Sequence, residues 1–255
     1  MDEKAKILIV DDERTIAREM RHKLESMGYD VLAIVSSGEE AIKKAEELHP
    51  DLVLMDIILQ GEVDGVEAAG QIRTRSGIPV VYVTANPSDA RLENIKRSEP
   101  FGCLFKPFED IELHATIDMA LHRYKMEKKL RESEEIFRAI GTAANDGIIM
   151  IDNEEKVSYW NGAAGKIFGY TDEEILGKEL RPAIMPKCFH KAFETGFSKF
   201  KVTGQGAAVG KTLELAAVKK DGTEIPIELS MSAVKIDGEW NAIGLVRDIT
   251  ERREA

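Results

Sequence analysis

The sequence predicts two domains of different class: an α/β domain with a doubly wound, five-stranded parallel sheet, then an α+β domain with an antiparallel sheet. Three observations carry this. Up to about Leu121, five short apolar runs alternate with amphipathic helical stretches. From about 142, strand-like stretches are joined by Asp-Gly turns. A length of 255 residues fits one large or two ordinary domains.

In chain order, the apolar runs of the first part are Ile7–Val10, Val31–Val35, Leu52–Met55, Ile78–Val83 and Cys103–Phe105. They are too short for helices, rich in branched residues and continuous rather than alternating, as strands buried on both faces of a parallel sheet read. Helical stretches fall near 14–27, 38–48, 65–75 and 88–97; the second opens on Ser36-Ser37-Gly38 and stops before His49-Pro50. A long helix runs from Ile111 to about Ile140, with Gly141 ending it. Its apolar Ile111, Leu113, Ile117 and Leu121 suit packing on the sheet, whereas the section from Arg123 to Glu135 is mostly charged and lacks Gly and Pro. Two readings of that section stay open, a solvated spacer and a helix that pairs between subunits. Beyond it, Gly147–Ile151 and Lys156–Trp160 form a hairpin across Asp152-Asn153, and short helical pieces follow through 161–200. Strands near 211–219, 224–234 and 241–249 finish the domain, with turns at Lys220-Asp221-Gly222 and Asp237-Gly238.

Composition narrows the function. The chain is 43% hydrophobic and 32% charged, with 35 basic and 46 acidic residues for a net charge of −11. That balance, with no basic stripe and no helix-turn-helix after the first domain, argues against nucleic acid and anionic membrane as partners. The excess is uneven: 24 acidic and 16 basic residues lie in 1–125, against 22 and 19 in 126–255. Cys103 and Cys188 are too few for a disulfide framework or a four-ligand zinc site. No apolar run reaches membrane length and the N-terminus lacks a signal-peptide core, so a cytoplasmic protein is expected.

Ligands of open parallel sheets sit beyond the carboxyl ends of the strands. Asp11 and Asp12 follow the first strand there, Asp56 the third, Thr84 the fourth and Lys106 the fifth. Each alone has an ordinary explanation, a helix cap or a turn. Five such residues at the ends of four strands do not. Three carboxylates repel one another unless a cation intervenes, and an all-oxygen site suits Mg²⁺. Lys106 adds a fixed positive charge, Thr84 a hydroxyl donor, and a nucleophilic carboxylate completes a set able to accept a phosphoryl group.

Asp11-Asp12, Asp56, Asp64-Gly65, Thr84-Ala85 and Lys106-Pro107-Phe108 resemble the signature of response-regulator receiver domains, over about residues 5–122. The resemblance implies a flavodoxin-like fold, Asp56 as phosphoacceptor, and Mg²⁺ held by Asp11, Asp12, Asp56 and the backbone carbonyl of Ile58. It implies that Thr84, Ala85 and Lys106 surround the phosphoryl group, which comes from a histidine kinase or phosphotransfer protein. Receivers commonly carry an aromatic switch residue three positions before the lysine; here Cys103 stands there.

The blocks Ser133–Arg138, Trp160–Ala164, Phe168–Lys178, Lys220–Ser230 and Gly244–Arg252 resemble a PAS domain over about 134–252. The implied organisation is a receiver at 1–122, a connecting helix at 123–140 and a PAS domain at 141–255. PAS folds enclose a cavity, which Phe168, Tyr170, Phe193, Phe197, Leu229 and Val246 either line or fill as core. The ligand is unknown. Flavin is disfavoured, since the Asn-Cys-Arg-Phe-Leu-Gln block of photoreactive members is absent. Haem is disfavoured because Phe193 stands where the proximal histidine belongs, with His190 three residues earlier. Gly204–Thr212 imitates a P-loop, but Gly206 is one residue too close to Gly210-Lys211-Thr212. The expected protein is a two-component phosphoacceptor coupled to a PAS sensory and dimerisation domain, homodimeric through that domain and the connecting helix. The alternative is the N-terminal regulatory part of a sensor histidine kinase whose catalytic domains lie beyond residue 255.

Overall fold

The computed structural model describes residues 4–85 and 100–254. The helical stretch expected near 88–97 lies outside the described residues. The chain divides into two compact units, Met1–Glu132 and Ser133–Ala255, and the division falls inside one long helix.

The first unit is built on strands β1 (Lys6–Val10), β2 (Asp30–Val35), β3 (Leu52–Asp56), β4 (Val80–Thr84) and β5 (Gly102–Phe105), all parallel, in the order β2-β1-β3-β4-β5. Because successive side chains of a strand face opposite ways, the apolar runs split between two cores. Leu8, Val10, Val53, Met55 and Tyr82 pack with Ala41, Ala45, Ala68 and Ile72 of helices α2 (Gly38–Leu48) and α3 (Gly65–Ser76). On the other face Ile7, Ile9, Leu52, Leu54, Val81 and Val83 pack with Ala17, Met20 and Leu24 of α1 (Arg14–Ser26) and Leu113, Ile117 and Ala120 of α4 (Asp110–Ala143). Burial on both faces is what made these runs continuous rather than alternating.

Caps fix where the helices begin. Ser37 accepts the Glu40 amide at the start of α2, and Asp64 accepts the Glu67 amide at the start of α3. The long helix departs from expectation at its far end: Gly141 does not terminate it, and α4 continues to Ala143. A Cβ at 141 would meet the Tyr159 hydroxyl, so a larger residue there would have to push that ring aside.

The second unit holds an antiparallel sheet in the order β7-β6-β10-β9-β8, made from β6 (Gly147–Ile151), β7 (Val157–Trp160), β8 (Thr212–Val218), β9 (Glu224–Ile236) and β10 (Glu239–Asp248). Short helices α5 (Gly162–Phe168), α6 (Asp172–Ile175) and α7 (Leu180–Ile184), and the longer α8 (His190–Thr203), lie between β7 and β8. A final helix, α9 (Thr250–Glu254), follows β10. The glycine-rich stretch that imitates a P-loop is the connection from α8 to β8, where Gly204 takes φ 65° to close the helix. Among the described residues, no helix is long and apolar enough to cross a membrane.

Candidate functional site

Sheet register builds the site. Val10 pairs with Met55, so Asp11 and Asp56 emerge side by side where β1 and β3 end. Thr84 closes β4 opposite Phe105, which places Lys106 one residue past β5. The strand order reverses direction at β1 and β3, the switch point where α/β sheets bind ligands.

Asp11, Asp56 and Thr84 are buried there and Asp12 is partly buried. One carboxylate oxygen from each of Asp11, Asp12 and Asp56 falls within a common span of 4.8 Å. The Lys106 ammonium donates to Asp11 Oδ2 at 2.7 Å and to Asp56 Oδ2 at 2.6 Å. The remaining oxygens are held by backbone: Asp11 Oδ1 accepts from the Glu13 amide and Asp56 Oδ1 from the Ile58 amide, both at 2.9 Å. Asp11 therefore braces the turn into α1 without being its N-cap, which is Glu13. Ala85 is exposed directly after Thr84.

Burial sets the electrostatics. It pushes the Asp56 carboxyl above the ordinary aspartate range, and the Lys106 and Ile58 hydrogen bonds offset this only in part. Burial works against the Lys106 charge as well, but its bonds to Asp11 and Asp56 outweigh that and hold the ammonium up. Three carboxylates against one ammonium leave two negative charges in excess, which one divalent cation of oxygen-preferring type balances.

Gly65 is a site residue whose role the sequence left vague. A Cβ there would run into the Asp56 carbonyl oxygen, so only glycine lets α3 start against the end of β3. Cys103 is half-buried, packs against the core that contains Tyr82, and has its thiol pushed up by burial. No ring occupies that position.

The second unit holds a partly open apolar cavity of about 280 Å³. Of the six residues singled out in the sequence, Phe193, Leu229 and Val246 line it. Phe168 is fully buried against Trp160, Tyr170 donates its hydroxyl to the Ala183 carbonyl, and Phe197 stacks between Phe193 and Phe200. Most of the wall is aliphatic, with Ile149, Ile151, Ile227 and Ala242 prominent. The sequence signal for these aliphatic positions is the inward alternation of β6 and β9, not the aromatic residues. His190 Nε2 is engaged with the Met185 carbonyl at 2.9 Å. Asn161 was also missed as a single residue. Its buried amide accepts from the Ile148 and Ala164 backbone amides and donates to the Gly141 and Asp146 carbonyls.

Residues 7–118 match the family described as the response regulator receiver domain, and residues 145–251 match a PAS domain. The chain joins a receiver domain to a PAS domain. Over its receiver it is 38% identical across 122 residues to the alkaline phosphatase synthesis transcriptional regulatory protein PhoP of Bacillus subtilis, covering 46% of this chain and 49% of that protein. It is 31% identical across 120 residues to the transcriptional regulatory protein PdtaR of Mycobacterium tuberculosis, covering 47% of this chain and 58% of that one. The chain thus spans about half the length of these curated relatives. Among solved structures, the signal receiver domain of a modulated diguanylate cyclase from Desulfovibrio desulfuricans G20 aligns at 41% identity and TM-score 0.47, over 49% of this chain and 99% of that one. A receiver and a PAS domain, with response regulators among the relatives, support a place in two-component signalling.

Proposed function

We propose that the receiver accepts a phosphoryl group on Asp56 from the phosphohistidine of a partner kinase or phosphotransfer protein. An Asp56 carboxylate oxygen attacks phosphorus, the P–N bond breaks, and the imidazole leaves with the bonding pair. Asp11, Asp12, Asp56 and the Ile58 carbonyl would hold Mg²⁺. The ion supplies the neutralisation that lets an anionic nucleophile meet an anionic donor. Lys106 keeps its charge at the site and takes a phosphoryl oxygen in place of a carboxylate, while Thr84 and the Ala85 backbone flank the group. The observation that supports this most is the Lys106 ammonium bridging Asp11 and Asp56 at 2.7 and 2.6 Å. Incubation with acetyl phosphate and Mg²⁺, followed by intact-mass measurement, tests it. A gain of about 80 Da is expected in the wild type and absent in Asp56→Asn; equal labelling of both overturns the assignment.

In this reading residues 1–122 form the phosphoacceptor domain, 123–140 the connecting helix and 141–255 a PAS domain that senses and dimerises in the cytoplasm. The wall of the PAS cavity is apolar, which favours an uncharged apolar ligand over flavin or haem. With Cys103 in place of an aromatic ring, the phosphorylation signal leaves the site through Thr84 and Lys106.

A further inference from the structure

At the end of the receiver sheet away from Asp56, an open cleft of about 420 Å³ lies between the entries of β1 and β3 and the helix α4. Lys4 and Lys6 line it from the strand side, and Tyr124, Lys125 and Lys128 from the helix. Asp51 is the one acid in its wall among the described residues. Small-molecule sites have about this size, roughly 300–1,000 Å³. β1 starts at Lys6 and ends just before Asp11, so at about 3.3 Å per residue the cleft lies roughly 15 Å from the carboxylates of the phosphoacceptor site. The two sites share no residue.

The charges of the cleft run against those of the domain. The first 125 residues hold 24 acids and 16 bases, yet here four lysines meet one aspartate, an excess of three positive charges. Other lysines of this unit are neutralised: Lys23 sits against Asp110, Lys44 against Glu47, and Lys106 against Asp11 and Asp56. Lys4, Lys125 and Lys128 have no hydrogen-bond or ion-pair partner among the described residues. Asp51 is turned to the backbone, its Oδ2 accepting the Lys6 amide at 2.8 Å. The face of α4 that packs on the sheet through Leu113 and Ile117 continues through Leu121 into Tyr124, Lys125 and Lys128. It therefore turns basic where the helix leaves the sheet, and like charges three positions apart repel. Ammonium groups are donors only, and the Tyr124 hydroxyl adds another donor. Such a wall suits the oxygens of phosphate groups, which lysine holds as a point charge. The acidic surface around the cleft repels an extended polyanion, so a compact one fits.

We propose that this cleft binds a small ligand carrying several phosphate charges, held by Lys4, Lys125 and Lys128 with the Tyr124 ring beside it. The ligand bridges the entry of β1 and the helix α4, so it stabilises the receiver by mass action. Calorimetric titration of the metal-free, full-length chain with sodium tripolyphosphate is expected to show one site per chain that weakens as salt is added. Lys125→Gln with Lys128→Gln is expected to weaken binding about tenfold. Lys187→Gln with Lys191→Gln, an equal change of charge in the other unit, is expected to leave it unchanged. Without ligand, the receiver transition of the Lys125 and Lys128 variant should not fall, because repulsion between the two is relieved; this separates lost binding from lost folding. ATP binding more tightly than tripolyphosphate, with the advantage lost in Tyr124→Leu, identifies a nucleotide as the source of the phosphates, and equal binding identifies an inorganic polyphosphate. Absence of binding, binding untouched by the Lys125 and Lys128 changes, equal loss in both lysine pairs, or tighter binding per phosphate to a long RNA homopolymer overturns the proposal.

Discussion

Replacing Lys106 by Met removes the ammonium and keeps the volume of its stem. Asp11 is 1% exposed and Asp56 7%, so both carboxylates stay behind in a poorly solvated site. Deleting one partner of a buried charge pair costs about 3–5 kcal/mol. Two bonds are lost together here, at 2.7 and 2.6 Å, but the Lys106 side chain is itself 11% exposed and Asp56 can take up a proton. The lower figure, about 3 kcal/mol, is the appropriate one. For a domain of receiver size, each kcal/mol moves the midpoint by about 3–5 °C, so metal-free calorimetry should show the receiver transition about 10–15 °C lower. The PAS transition, which belongs to the other unit, serves as the internal reference. Two conditions should narrow the gap. Millimolar Mg²⁺ replaces the missing positive charge and raises the variant more than the wild type. Acidification from pH 7 also helps, because a carboxyl whose folded pKa is raised carries its full cost above that pKa and sheds it as the pH falls from there toward the unfolded value. An unmoved receiver transition, or a drop indifferent to both Mg²⁺ and pH, refutes the reasoning.

Gly65→Ala drives a Cβ into the Asp56 carbonyl; unfolding titrations should show a loss of about 2–4 kcal/mol, with an unchanged midpoint counting against the close approach. Asn161→Ala strips four hydrogen bonds from a buried amide, and the PAS transition should lose about 3 kcal/mol while the receiver transition stays in place. Since burial holds the Asp56 carboxyl above the ordinary range, protons compete with Mg²⁺ closer to neutrality. Metal affinity measured by calorimetric titration should therefore fall between pH 7 and 5, and a flat profile would remove Asp56 from the ligand set. Ala242→Phe fills the PAS cavity from its wall; an apolar dye bound by the wild type should lose its fluorescence enhancement, and undiminished binding would place the dye elsewhere.

The receiver was legible because its sheet is buried on both faces and its chemistry stands at strand ends. Ile7–Val10 and Leu52–Met55 had no reading other than central strands, and once they are parallel neighbours Asp11 and Asp56 must converge. Gly65 was visible only as part of a turn, since what demands it is the carbonyl of Asp56, nine residues earlier in sequence. Gly141 misleads in another way: glycine usually marks a helix end, and here the helix runs through it to Ala143, with the Tyr159 hydroxyl close against the bare Cα. In the PAS domain, strands with Asp-Gly turns were readable, whereas the split between cavity and core was not. Phe168 and Phe193 have the same side chain and differ only in what surrounds them, one enclosed against Trp160 and the other at the cavity wall.

The middle of α4 is kept by its two ends rather than by burial of its own residues. A bare helix of sixteen residues is only marginally stable in water, and no residue from 125 to 140 is buried. Local ion pairs such as Arg123–Glu127, at 2.8 Å, contribute about 0.3–0.5 kcal/mol each. What holds the helix is at its ends. Leu113, Ile117 and Ala120 sink into the receiver core, and the Gly141 carbonyl accepts from the buried Asn161 amide at 3.0 Å. With no buried residue of its own, the stretch from 125 to 140 depends on those two anchored ends, so loss of either the receiver-core contacts or the Asn161 bond should fray it first.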